Sequence, residues 1–210
     1  MSDREIPRLV NSALKIAHIA KSGLYYSRDD HDKARFTSIL DASVELINIV
    51  GRVEPNAMPV ALSAADGPVT PKLAVRVGLF DTADRLVLVK ETSDGLWSLP
   101  GGWCDSHKTP MEAAAIEAQE EAGITPRNLE YCGYFDQRVL YENPIFHIIC
   151  HFFVGEAGDP VERKTYPPEI SDVGFFTEDS LPPLSMRRVR REEIRRLFAW
   201  RRGHRITMFE

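Results

Sequence analysis

The sequence predicts an α+β protein: a mixed-sheet sandwich preceded by a small helical hairpin. Three observations carry that reading. The first fifty or so residues hold two apolar patterns of helical period and no strand pattern. From residue 72 to residue 177 the pattern changes to short alternating runs separated by turn residues. One glycine loop, Gly101-Gly102, interrupts those runs and feeds a helix, and a further helix closes the chain. Strands, a helix, more strands and a final helix suit layered packing around one sheet.

The elements follow in order. Ile6, Leu9, Val10, Ala13, Leu14, Ile16, Ala17, Ile19 and Ala20 keep a helical period, with Pro7 at the start and Gly23 as the expected stop. Residues 24–30 turn the chain. A second helix runs to Val50, with Phe36, Ile39, Leu40, Val44, Ile47 and Val50 expected inward and Gly51 ending it. Two helices cannot enclose a core of their own, so the hairpin (residues 1–52) is expected to pack on the second domain and on another copy of the chain, as a homodimer. A proline-containing linker follows over 53–71, and the second domain occupies 72–210. Within it, Leu73–Phe80 and Leu86–Lys90 read as a hairpin, and Asp94-Gly95 turns the chain into Leu96–Leu99. Residues 129–139, 145–154 and 173–177 read as further strands, and 186–201 as a helix.

Composition limits the function classes. The 210 residues are 43% hydrophobic and 27% charged, which is the balance of a soluble globular chain. A net charge of −5 argues against nucleic acid as an electrostatic partner, although nine arginines lie between Arg187 and Arg205. No apolar run approaches the roughly 20 residues of a membrane span. Cys104, Cys132 and Cys150 fit neither a disulfide framework nor a zinc site, and with no secretory signal they point to a cytoplasmic protein.

The informative stretch is 99–124. Thr109-Pro110 opens its helix and Gly123 closes it. Met111, Ala114, Ala115, Ala118 and Ala122 make a narrow small-residue stripe, while Glu117, Glu120 and Glu121 gather on the other side. Like charges at that spacing repel by about 0.2–0.5 kcal/mol per pair. Glu120 and Glu121 also sit in the last turn, where the macrodipole favours cations. A divalent cation reverses both penalties, because carboxylate oxygens are what Mg²⁺ and Mn²⁺ bind best. A solvated acidic face is the alternative; the adjoining Gly101-Gly102 loop, open to close approach by a ligand, favours the cation.

These residues resemble a Nudix box, the loop–helix motif of hydrolases that cleave nucleoside diphosphates linked to another group. Gly102, Glu117, Glu120, Glu121, Gly123 and Ile124 match its pattern. Lys108 stands where its first Glu belongs and Ile116 where its Arg belongs. A wider resemblance rests on Thr70-Pro-Lys, Val77-Gly-Leu-Phe80, the run Asp94–Asp105 and Leu181-Pro-Pro-Leu-Ser185. It is to a Nudix subgroup with a helical N-terminal domain, described as ADP-ribose or CDP-choline pyrophosphatases. The resemblance implies an α/β/α sandwich with a mixed sheet, Mg²⁺ or Mn²⁺ as cofactor and a nucleotide as substrate. It further implies Glu117, Glu120, Glu121, the Gly102 carbonyl and Asp105 as metal ligands.

Hydrolysis of a pyrophosphate needs cations to neutralise its oxygens and a base within reach of the attacking water. Glu120 and Glu112 are the first candidates for that base, with Glu169 and Glu142 in later loops. Arg138, Asp136 and Arg187 (or Arg188) are candidates for contacting phosphate or other polar groups of the substrate. Trp103, Phe135, Tyr141 and Phe146 are candidates for an aromatic wall, each also a plausible core residue. The subgroup resemblance further implies that Tyr25 and Tyr26, in the turn between the first two helices, close over the nucleotide from the partner subunit. The competing expectation is a degenerate Nudix domain that binds a nucleotide as a sensor without turnover, for which Lys108 and Ile116 are the grounds.

Overall fold

The computed structural model describes residues 5–51, 70–136, 147–160, 167–205 and 207–209. They form two compact units, the first containing the two N-terminal helices and the second the sheet with its helices. Most of the expected linker, with Arg138, Tyr141, Glu142 and Phe146, lies outside the described residues.

In the first unit, α1 (Glu5–Tyr26) is followed by α2 (Asp30–Gly51). Gly23 does not end α1. A Cβ there would run into the Phe36 ring, so this glycine lets the two helices approach rather than capping one. Tyr25 and Tyr26 therefore occupy the last helical turn instead of a loop, stacked edge to face with ring centroids 4.9 Å apart. Asp29 opens α2, its carboxylate accepting the Asp32 N–H at 2.9 Å. The unit's core is small: Val10, Ala13, Leu14, Ala17 and Ile47, with Ile6, Leu40, Val44 and Val50 against them. Ile39, expected inward, is 42% exposed, and Leu9, Ile16, Ile19, Leu46 and Ile49 are also exposed.

In the second unit, the strands are β1 (Lys72–Phe80), β2 (Leu86–Glu91), β3 (Trp97–Ser98), β4 (Ile124–Asp136), β5 (Ile148–Pro160), β6 (Ile170–Phe176) and β7 (Met208–Phe209). They make one mixed sheet in the order β3-β2-β1-β5-β4-β7, with β6 on β2. β1 runs parallel to β5 and antiparallel to β2, and β4 runs antiparallel to β5. β4 begins at Ile124, directly after the box helix and five residues before the expected Leu129. β7 was not expected at all; two residues are too short to show alternation.

The box helix α3 (Pro110–Glu117) and the turn that continues it to Ala122 pack Ala113, Ala114, Ala118 and Ala122 against Val75, Val77 and Leu79 of β1 and Val87 and Val89 of β2. The alternate residues of β1 face the last helix, α4 (Arg191–Arg201). There Gly78 lies against Leu197, and Phe80 stacks edge to face on Phe198 at 5.0 Å. The sheet is thus covered by a helix on each face, giving the α/β/α sandwich. α4 starts five residues later than the expected Met186, because residues 186–188 form a turn in which Arg188 N–H reaches the Ser185 carbonyl.

Candidate active site

The glycine loop is built onto the side of β1. Val77 N–H donates to the Pro100 carbonyl, Val75 N–H to the Gly102 carbonyl and Cys104 N–H to the Leu73 carbonyl, at 2.9, 2.9 and 3.0 Å. Gly101 has φ +152°, and a Cβ there would strike the Val75 carbonyl, so only glycine fits. A Cβ on Gly102 would strike the Glu117 carboxylate, which shows how closely that acid lies against the loop.

The helix that carries the acids is capped at its start. Thr109 Oγ1 accepts the Glu112 N–H at 3.3 Å, and Glu112 Oε2 accepts the Thr109 N–H at 2.8 Å. After Glu117 it widens into one i→i+5 turn over Ala118–Ala122, and Gly123 closes it at φ 68° with its N–H on the Ala118 and Gln119 carbonyls. Glu121 turns back to the loop, accepting the Gly101 N–H at 2.8 Å.

Burial pushes the Glu121 carboxyl up to about 7, with Glu117 and Glu91 adding repulsion against the Gly101 amide and the Arg76 charge. Burial likewise pushes Glu117 up, helped by Glu120 and Glu169 and opposed by Arg76 and Lys108. The structure therefore brings Glu117, Glu120, Glu121, Gly102 and Glu169 into one electrostatic neighbourhood. Among the described residues, no three His, Cys, Asp or Glu side chains converge on one point in ligating geometry. The oxygens are of the kind a hard divalent cation takes, on one stretch of helix beside a backbone carbonyl. By donor chemistry the site fits a divalent cation.

The remaining candidates divide. Glu112 lies in the first turn of α3, where the Thr109 amide and hydroxyl hold its carboxyl below the usual range. Asp105 is exposed and pairs with Lys108 at 2.9 Å; Lys108 also feels Glu120 and Glu117. Trp103 stands 55% exposed at the loop, with Lys72 Nζ 5.6 Å from its ring centroid. Phe135 is core, edge to face with Phe152. Asp136 is half-buried at the end of β4, and Arg187 is exposed. Arg188 is taken up internally: its Nε pairs with Glu91 at 3.0 Å and its Nη1 with Asp94 at 3.4 Å.

Two charged residues here were missed by the sequence reading. Glu91 is 5% exposed at the end of β2 and accepts the Ser98 hydroxyl at 3.2 Å. Arg76 sits mid-strand in β1 with Nη1 donating to the Leu99 carbonyl at 3.4 Å and to the Gly101 carbonyl. A lone arginine between two valines in an apolar strand was the available signal.

Comparison with known proteins gives the same picture. The NUDIX domain model matches residues 70–198, and the model of the UDP-X-like N-terminal oligomerisation domain matches residues 7–58. YjhB of Bacillus subtilis strain 168, provisionally named an ADP-ribose pyrophosphatase, is 29% identical over 199 residues, 94% of this chain and 95% of its own. The structure of a UDP-X diphosphatase matches 96% of this chain and 98% of its own at a TM-score of 0.60 and 24% identity. An ADP-ribose pyrophosphatase from Streptococcus suis matches 67% of this chain and 97% of its own, at 0.54 and 31%. The chain belongs to the Nudix family, as a pyrophosphatase with a helical N-terminal domain.

Proposed function

We propose that the protein hydrolyses the pyrophosphate of a nucleoside diphosphate linked to another group, with Mg²⁺ or Mn²⁺. ADP-ribose-like compounds are the first substrate class and CDP-choline-like compounds the next. The observation that carries the reading is the anchoring of Glu117 and Glu121 against Gly101 and Gly102, on the turn where the helix end itself disfavours acids. Glu117, Glu120, Glu121 and the Gly102 carbonyl would hold the cations. When bound, these neutralise phosphate oxygens and make water a better nucleophile.

The chain's own residues supply the rest. The Gly101 amide fixes one Glu121 oxygen beside the glycine loop. Glu120, exposed on the same turn, is the first candidate to take the proton of the attacking water, and Glu169, close enough to act on Glu117, is the second. The Trp103 ring beside the loop offers a stacking face for the base. Asp105 orients Lys108, whose ammonium can meet a phosphate oxygen at the mouth of the site.

The homodimer belongs to this proposal. Leu9, Ile16 and Ile19 on α1 and Leu46 and Ile49 on α2 are exposed apolar residues of a unit whose family description is an oligomerisation domain. A cytoplasmic setting is supported by three cysteines that are all free thiols. No described helix is long and apolar enough to cross a membrane.

The test is a hydrolysis screen with Mg²⁺ and with Mn²⁺ over ADP-ribose, CDP-choline, UDP-sugars, dinucleoside polyphosphates and nucleoside triphosphates, with Glu121→Gln as the blank. Turnover that needs the metal and vanishes in the blank supports the reading. Saturable nucleotide binding without turnover contradicts it and makes the protein a sensor.

A further inference from the structure

A half-buried cation, Arg76, lies near the glutamate cluster, and it comes from the sheet rather than from the helix. Residues 110–122 of the helix contain no lysine or arginine, Ile116 included. Lys108, just before it, is engaged with Asp105. Arg76 follows the fully buried Val75 in β1 and precedes the fully buried Val77, on the face opposite to theirs. Its positive charge acts on Glu117, on Glu121 and, from α4, on Glu193.

The hydrogen bonds of this arginine are specific. Nη1 reaches both the Leu99 and the Gly101 carbonyls, bracketing Pro100 on the strand end that becomes the glycine loop. The next amide contact in that loop is Gly101 N–H to Glu121. The Arg76 Nε, by contrast, is buried with no hydrogen-bond partner. An unmet buried donor costs on the order of 1–3 kcal/mol, which a tie between two backbone carbonyls alone does not warrant. One nitrogen, Nη1, ties the two carbonyls together while the guanidinium charge acts on the carboxylates beyond them.

The geometry points to Arg76 as a positioning residue: its guanidinium fixes the Leu99–Gly101 backbone and thereby sets where the Gly101 amide holds Glu121 for cation binding. The inference rests on the reading of the glutamate cluster as a divalent-cation site. It assigns the charge partner of that cluster to β1, where the box position itself carries Ile116.

The experiment is Mn²⁺ binding to the full-length protein by electron paramagnetic resonance, on wild type, Arg76→Lys, Arg76→Met and Glu121→Gln. Thermal unfolding and the amide resonance of Gly101 are recorded on each. Arg76→Met is expected to bind Mn²⁺ about 10-fold more weakly, the low end of the loss seen when residues supporting metal ligands are removed, and Arg76→Lys to bind it more weakly than wild type by a smaller factor. In both, the Gly101 amide resonance moves. If Arg76→Met fails to fold, Arg76→Lys decides alone. Folded variants with wild-type Mn²⁺ affinity and an unmoved Gly101 resonance overturn the role of Arg76, while Glu121-dependent binding leaves the site itself standing. No Glu121-dependent Mn²⁺ binding in the wild type overturns both.

Discussion

Glu112 and Glu121 sit at opposite ends of one helix and show how placement decides what a carboxylate is for. Glu112 is exposed in the first turn, where the macrodipole favours an anion, and its oxygen is spent on the Thr109 amide and hydroxyl. Its proton is easily lost. Glu121 is half-buried at the other end, where the dipole opposes it, and desolvation pushes its carboxyl up to about 7. One acid stabilises the helix; the other is tolerated by it, and a bound cation is what would make it favourable.

The sharpest way to break that contrast is Glu121→Gln, expected to lower Mn²⁺-dependent turnover by about 100-fold or more while the variant stays folded. Next comes Gly101→Ala, which puts a Cβ against the Val75 carbonyl at φ +152°. It should cost about 2–3 kcal/mol in urea unfolding and lower Mn²⁺ affinity with it.

Glu193 sharpens the comparison from outside the box. It is a third placement, a capping acid that is also buried, with its carboxyl pushed up to about 7 by burial. The unfolded chain releases this proton near 4.5, whereas the folded protein keeps it until about 7. Stability contributed by this group therefore falls as pH rises through that window and does not return above it. Glu193→Gln keeps an acceptor for the Arg190 N–H and should remove the slope. It should leave the variant about 1–2 kcal/mol more stable than wild type above pH 7, read by urea unfolding at pH 5 and pH 8. The smallest effect is expected from Glu112→Ala: about 0.5–1 kcal/mol of stability, with kcat retained. A large loss of kcat with stability unchanged would instead make Glu112 the base.

Long-period features were legible in the sequence. The two N-terminal helices, the box helix with its cap and glycine stop, and the central strands all follow from runs long enough to show a period. Short or context-dependent features were not. Gly23 reads as a stop in any local pattern, and only the Phe36 ring on the next helix explains its place within α1. Residues 186–190 carry helix-forming arginines, but Arg188 is drawn to Glu91 and Asp94 and the segment turns instead. In the site, Glu117, Glu121 and the glycines were evident from spacing. Arg76 and Glu91 were not, because a charged residue in a strand gives no sign of which distant backbone or acid it meets. The i→i+5 turn that sends Glu121 back to Gly101 also leaves no mark on a regular helical pattern.

The central claim is that the far end of the box helix, and not its beginning, binds the catalytic cation. Titration of the full-length protein with Mn²⁺, for wild type, Glu121→Gln and Glu112→Gln in parallel, tests it most directly. The account predicts saturable binding in the wild type and in Glu112→Gln, and its loss in Glu121→Gln. Equal binding in all three, or none in the wild type, would contradict it.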